Sequence, residues 1–380
     1  MAGAPILHVR REHAVGERRV AATPETVGAL IAAGLDVQVE AGAGEAALLG
    51  DADYREAGAR IAPPGQVEGA ALVVGVAPPT AADVAALPAG CILLSFVAPH
   101  RNLEVVAALA ERRITTIAME LVPRISRAQP MDALSSQANL AGYRAVITAA
   151  HELDKYFPLF MTAAGTIRPA VVVVLGAGVA GLQAVATAKR LGAVVEVSDV
   201  RAAAREEVAS LGGRFIEVPE AGDQSGEGGY AKEAGADFLA RQRAVLTDHL
   251  RRANAVITTA SIPGRPAPRL VTREMVEALP AGAVVIDLAS ADGGNCELTD
   301  PTRTVEYAGV RILPGHDLPN TMPGEASALY ARNVSAFVGL LVRDGALVVD
   351  LEDEVVTGSL LTHEGRVVHG PTAALLEGAR

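Results

Sequence analysis

Residues 170–199 read AVVVVLGAGVAGLQAVATAKRLGAVVEVSD. A β-branched run is followed by glycines at 176, 178 and 181, an alanine-rich helical pattern, and a second β-branched run ending on Asp199. Its first part, Ala170 to Ala188, approaches the roughly 20 apolar residues that cross a bilayer. Three glycines at fixed spacing divide it, so the stretch reads as strand, tight turn, helix and strand. Each glycine of G-x-G-x-x-G has its own reason. Gly176 permits the turn, Gly178 lets a pyrophosphate approach the backbone, and Gly181 lets the helix pack closely on the strand. The first helical residues, Val179 and Ala180, offer N–H groups and the positive end of the helix dipole to phosphate. Asp199, 23 residues after Gly176, stands where a carboxylate accepts from the adenosine ribose hydroxyls and repels a 2′-phosphate. The predicted cofactor is NAD(H). Val200 and Arg201 complete the ribose side, with Arg201 read as a solvated arginine rather than a phosphate ligand.

Strand-like runs recur on both sides of this unit. Before it they lie at 6–11, 36–41, 71–76, 91–97 and 114–119; within and after it, at 170–176, 194–200, 214–218, 255–260, 283–289 and 310–315. Continuous apolar runs belong to strands covered on both faces. Their alternation with helical patterns means right-handed crossovers and parallel sheets. The predicted fold is α/β: two Rossmann-like doubly wound domains with parallel sheets, joined by two long helices around a cleft. The helices are SSQANLAGYRAVITAAHELDKYF (135–157) and EASALYARNVSAFVGLLVRDG (325–345). Residues 1–134 with 322–380 would form a discontinuous N-terminal domain, and 135–321 the NAD(H)-binding domain. Six strands in the second group suit the order 3-2-1-4-5-6. The tail, 346–371, reads as an extended arm on the first domain. VQVEAGAGEAALLG (37–50) also places glycines after a strand, but the next strand ends without an acid. It reads as a structural turn, leaving one dinucleotide site.

A chain of 380 residues exceeds one hydrophobic core. Aromatics are 3% of it, so the cores must be built from Val, Ala, Leu and Ile. A net charge of −11 and a pI near 5.3 argue against nucleic acid as a partner. Cys91 and Cys296 are far apart and lack metal-like spacing, which suits free thiols in a reducing compartment. The N-terminus has no secretory apolar core, and any membrane role must come through a partner.

Two loops carry more polar chemistry than connectors need. RISRAQPMDALSSQ (124–137) holds two arginines, two glutamines, an aspartate and three serines. The plain reading is a turn capped by Ser135 or Ser136, with Arg127 on the surface. PEAGDQSGEGGYAKEAG (219–235) has the length and glycine content of a lid, with Tyr230 as its one large side chain and Gly228 and Gly229 as hinges.

GERRVAATPETV (16–27), RISRAQPMDALSSQANLAGYRAV (124–146), GAGVAGLQAVATAKRLGAVVEVSDVR (176–201), GGYAKE (228–233) and IDLASADGGNCE (286–297) resemble signature elements of a known superfamily. It is the alanine dehydrogenase and proton-translocating NAD(P) transhydrogenase superfamily, and the resemblance covers nearly the whole chain. It is nearest to the transhydrogenase branch, in which a soluble NAD(H)-binding alpha subunit, domain I, works with separate chains. The resemblance implies that Arg124, Gln129, Asp132 and Ser135 form the loop beside the nicotinamide, and that Tyr230 covers bound nucleotide. From the residues alone, Arg124 and Asp132 would pair to stiffen this loop.

The other branch reduces an imine and needs an arginine for the carboxylate, plus a lysine and a histidine for the carbonyl and proton transfers. Here the arginine is Arg18 or Arg19, but Ala77 and Ala98 stand where the resemblance puts the lysine and histidine, and His100 is two residues off. Hydride transfer between two nicotinamides moves no proton on a heteroatom, so it needs positioning and excluded water instead. The expected function is therefore the NAD(H)-binding subunit of a proton-translocating transhydrogenase. It would be a homodimer on the cytoplasmic face of the inner membrane, held there by membrane-embedded subunits and by a partner carrying NADP(H). The alternatives are an NAD-dependent alanine dehydrogenase-like enzyme and a non-catalytic NAD-sensing module.

Overall fold

The computed structural model describes residues 3–218, 236–262 and 264–378, with the backbone alone for 236–240. The chain forms two compact units, Met1–Gln137 with Asn320–Arg380, and Ala138–Pro319.

In the first unit, β1 (Ile6–Val9), β2 (Asp36–Glu40), β3 (Arg60–Ala62), β4 (Leu72–Val74), β5 (Ile92–Ser95) and β6 (Thr115–Ala118) are all parallel, in the order 3-2-1-4-5-6. Leu7, Val9, Leu72 and Leu94 face one core; Val73, Leu93 and Ile114 face another. That two-sided burial is why these strands read as unbroken apolar runs.

The second unit begins within the helix Ala133–Glu152, followed by a small hairpin, β7 (Phe160–Thr162) and β8 (Gly165–Ile167). Its main sheet comprises β9 (Val171–Leu175), β10 (Val194–Ser198), β11 (Arg214–Phe215), β12 (Ala255–Thr258), β13 (Val284–Asp287), β14 (Val305–Tyr307) and β15 (Val310–Pro314). The six parallel strands follow the expected 3-2-1-4-5-6 pattern, and β14 adds an antiparallel edge beside β15. The valine run of β9 is divided by the pleat. Val172 and Val174 pack under the helices Ala133–Glu152 and Val179–Arg190, while Val173 and Leu175 face Leu246, Leu250 and Met275.

The chain then re-enters the first unit. The helix Pro323–Leu341 lies wholly there, with Tyr330, Val334, Phe337, Val338 and Leu341 in its core. The tail is not a simple extended arm. It forms a hairpin, β16 (Val342–Arg343) with β17 (Ala346–Leu347), then β18 (Leu360–His363) and β19 (Arg366–Val367). Strand β18 pairs antiparallel with β6 and so extends the first sheet.

Both cysteines are free and buried. Burial pushes the thiol of Cys91 up to about 12 and that of Cys296 up to about 11, so neither is a reactive thiolate.

Candidate dinucleotide site

The turn between β9 and the helix Val179–Arg190 is shaped by its glycines. Gly176 sits at φ 105°, where side chains are strained, and an added Cβ would stand 2.5 Å from the Thr259 hydroxyl. At Gly181 a Cβ would lie 1.9 Å from the Gly176 carbonyl oxygen, so the helix can rest on the turn only without one. Gly178 differs: nothing lies within 4 Å of its hypothetical Cβ. The space above it is open, as a backbone approached by a ligand requires. Gly178 is also the N-cap and makes no side-chain cap. The amides of Val179, Ala180 and Gly181 fall in the first turn, before any helical carbonyl can accept them.

Thr259, the residue after β12, locks this turn, its hydroxyl donating to the Gly176 carbonyl at 3.0 Å. Helix Ala133–Glu152 locks it from the other side. A Cβ on Gly142 would come 2.0 Å from the Ala180 carbonyl oxygen. Neither Thr259 nor Gly142 was visible from the G-x-G-x-x-G spacing; a lone glycine inside a helical pattern was the only available signal.

Asp199 follows β10 and reaches back to the turn. Its Oδ2 accepts from the Ala177 N–H at 2.6 Å, and its Oδ1 from the Arg201 N–H at 2.9 Å. The Arg201 side chain is not solvated as the sequence suggested. Its Nε donates to Oδ1 at 2.9 Å and its Nη2 to Oδ2 at 3.0 Å. Burial opposes the charge on Asp199, but the hydrogen bonds from Arg201 and Ala177 outweigh it and hold the carboxyl below the usual range. Val200 lies between them, half-buried. Tyr230 and the rest of the 219–235 stretch lie outside the described residues.

The IDLASADGGNCE stretch buttresses the far strand ends. Asp287, fully buried at the end of β13, accepts from the N–H groups of Ala289 and Cys296 at 3.0 Å each and from the Thr299 hydroxyl at 2.6 Å. Asn295 holds both the N–H and the carbonyl of Ala260, at 3.0 and 2.8 Å. These polar groups are structural anchors of the turn that follows β12.

In the first unit, the 124–137 stretch is a 3-10 helix, Ser126–Met131, with Pro130 inside it, leading into the helix Ala133–Glu152. The cap is Asp132, not a serine. Its Oδ1 accepts the Ser135 N–H at 2.9 Å and its Oδ2 the Ser135 hydroxyl at 2.6 Å. This clasp stiffens the loop at Asp132. Asn333 ties the loop down by donating to the Pro130 carbonyl at 2.7 Å. Arg127 is exposed but paired, gripping Asp353 at 2.8 and 2.9 Å. Arg124 and Gln129 are exposed, and among the described residues the Gln129 side-chain amide makes no hydrogen bond.

Arg19 is committed elsewhere in the same unit. Its Nε and Nη2 hold Glu17 at 2.8 and 2.6 Å, and its Nη1 donates to Gln137 at 3.0 Å. The backbone of Ala77 is also engaged: its N–H donates to Glu12 at 3.2 Å and its carbonyl accepts from Arg10 at 2.5 Å. Burial raises the Glu12 carboxyl despite Arg10 beside it. Ala98 sits at φ 47°, donating its N–H to Glu120. Among the described residues no cluster of His, Cys, Asp and Glu could hold a metal ion, and no helix is long and apolar enough to cross a membrane.

Two family models cover this architecture: the alanine dehydrogenase/PNT N-terminal domain matches residues 8–141, and the alanine dehydrogenase/PNT C-terminal domain matches residues 145–370. The chain belongs to the alanine dehydrogenase/PNT family. Within this family it is 47% identical over 372 residues to an NAD(P) transhydrogenase subunit alpha chain of Rhodospirillum rubrum, covering 95% of this chain and 97% of the relative. An alanine dehydrogenase of Halomonas elongata is 29% identical over 94% of this chain and 93% of its own length. Among solved structures, a transhydrogenase from Sinorhizobium meliloti superposes with a TM-score of 0.85 at 43% identity, covering 96% of this chain and 99% of that one. The Rossmann-like architecture and its parallel-dominated sheets are those of the alanine dehydrogenase/PNT family.

Proposed function

We propose that this chain is the NAD(H)-binding subunit of a proton-translocating NAD(P) transhydrogenase. In this reading it passes hydride from NADH to NADP+ held on a partner subunit, and a membrane-embedded subunit couples the step to proton movement. The observation that carries the reading is a dinucleotide turn in a chain with alanine at both positions where the resemblance puts the proton-transfer lysine and histidine. Gly178 and the first helical amides suit a pyrophosphate, and Asp199 suits a ribose, while Ala77 and Ala98 can neither donate nor accept a proton from their side chains. Of the two candidate arginines for a substrate carboxylate, Arg18 and Arg19, Arg19 already holds Glu17 and Arg18 is exposed. NADH bound here supplies the hydride.

What the protein must contribute is placement. Direct transfer between two nicotinamides requires the reacting carbons at about 3–3.5 Å with water excluded. Val179, Ala180 and Gly181 would bind the pyrophosphate through their N–H groups, and Asp199 with Val200 and Arg201 would hold the adenosine ribose. Arg124, Gln129, Asp132 and Ser135 would orient the nicotinamide half, with Asp132 and Ser135 keeping the loop rigid. Gln129 suits a ligand contact because its amide is exposed and uncommitted. A homodimer is supported by the β7–β8 hairpin, which leaves Leu159 and Met161 56% and 80% exposed. Two-stranded hairpins are marginal alone in water, and covering one favours a second copy. In a cell the subunit would sit on the cytoplasmic face of the inner membrane through its partners.

The test is reconstitution. The purified chain should quench or enhance NADH fluorescence on binding, yet turn over little alone. Adding an NADP(H)-binding partner from a related transhydrogenase should restore transfer from NADH to an NADP+ analogue. Robust transfer by the isolated chain would overturn the split-subunit reading. NADH oxidation that requires pyruvate and ammonia would return it to the amino-acid dehydrogenases.

A further inference from the structure

The grip of Arg201 on Asp199 does more than neutralise a buried charge. An ionised carboxylate offers about four lone-pair positions. Here four N–H groups point at them: the Arg201 N–H and Nε on Oδ1, and the Ala177 N–H and Arg201 Nη2 on Oδ2. Two of these donors are backbone groups, fixed by the end of β10 and by the glycine turn. The other two belong to one guanidinium, whose side chain retains 19% exposure against 8% for Asp199. A ribose hydroxyl that donates to Asp199 must therefore displace the guanidinium from at least one oxygen. A 2′-phosphate meets a different obstacle, because the fork that would suit it is already closed on a carboxylate. Guanidinium binds phosphate and carboxylate through the same bidentate geometry, so the two compete for it directly.

We propose that Arg201 is a specificity-determining residue of this site, and that the Asp199–Arg201 pair, not Asp199 alone, makes it select a 2′-hydroxyl over a 2′-phosphate. Asp199 holds the arginine away from phosphate; without Asp199 the same arginine becomes a phosphate ligand. This rests on the reading of the glycine turn as an NAD(H) site and adds the basis of its selectivity.

The experiment measures NADH and NADPH dissociation constants by nucleotide fluorescence on the full chain. It compares the unaltered protein with Asp199→Ser, Arg201→Ala and the double variant. Asp199→Ser is expected to weaken NADH at least tenfold and to tighten NADPH at least tenfold. The double variant is expected to lose the NADPH gain, and the gain in the single variant should shrink with added salt. An NADPH gain that survives Arg201→Ala would overturn the proposal, since loss of repulsion alone would then explain it. Loss of NADH with no NADPH gain would also overturn it, while leaving the NAD(H) site standing. NADH binding unchanged in Asp199→Ser would instead remove Asp199 from the ribose and take both readings down. Asp199→Asn preserves the side-chain shape and should move both affinities in the same directions. Far-UV circular dichroism checks that each variant is folded.

Discussion

Gly142 lies so close to the Gly-turn helix that a Cβ built on it would stand 2.0 Å from the carbonyl oxygen of Ala180. Alanine in a helix interior normally gains about 1 kcal/mol over glycine. Here the backbone must move to admit the methyl, and overpacking of that kind costs about 3 kcal/mol at its upper end. Gly142→Ala is therefore expected to lose about 2 kcal/mol, and to weaken NADH binding by displacing Ala180. Denaturant melts and a fluorescence titration read the two effects. An unchanged or raised melting midpoint would show that the two helices separate freely.

Gly178→Ala and Gly181→Ala should divide function from stability. At Gly178 the added methyl meets open space and the backbone is already extended, with φ −71°. Its stability should stay within about 0.5 kcal/mol of the parent, while NADH affinity falls at least tenfold. At Gly181 the methyl would lie 1.9 Å from the Gly176 carbonyl oxygen, so that variant should melt earlier. Equal effects of the two changes on stability would contradict this division.

In the loop before the helix Ala133–Glu152, Asp132→Ala removes the cap on Ser135 and is expected to cost about 1 kcal/mol. Gln129→Ala touches no hydrogen bond of the described structure and should leave the melt unchanged. If the loop orients the nicotinamide, Gln129→Ala should still slow hydride transfer in the reconstituted complex by tenfold or more. Steady-state rates at saturating NADH separate that from weaker binding.

Glu40 predicts an acid limit to stability. Burial alone would raise its pKa, but contact with the His8 ring and N–H donors from Arg11 and Gly65, at 2.9 and 2.8 Å, bring it down to about 2. A carboxyl depressed in the folded state stabilises above its unfolded pKa of about 4.3 and loses that contribution as pH falls toward the folded value. The urea midpoint should therefore drop between about pH 4.5 and pH 2, and drop less steeply in Glu40→Gln. A parallel fall in both proteins would assign the acid sensitivity to other carboxylates.

The Rossmann-like class was legible because strands buried on both faces leave unbroken runs such as VVVVL. The glycine turn was legible because Gly176 and Gly181 each answer a contact that forbids a side chain. Short edge strands were harder. β14 has three residues, and the β7–β8 hairpin is exposed on both faces, so neither carries a hydrophobic period. The cap was misread because Asp132, Ser135 and Ser136 all suit that position, and only backbone geometry selects among them. The Arg201 clasp was missed for a similar reason. Spacing of two residues along an irregular segment does not say where a long flexible side chain turns, and the desolvation that favours pairing is set by tertiary packing.

The antiparallel pairing of β18 with β6 also orders events during synthesis. Strand β6 leaves the ribosome first, and its edge stays open until residues 360–363 follow. At about 5–20 residues per second, the roughly 240 residues between them take about 12–48 s. The contiguous unit, Ala138–Pro319, emerges in that interval and can close on itself. The nascent first unit must meanwhile wait without Tyr330, Phe337 and Leu360 in its core. A chain halted before residue 323 should thus hold a protease-resistant second unit beside an N-terminal segment that chaperones still bind.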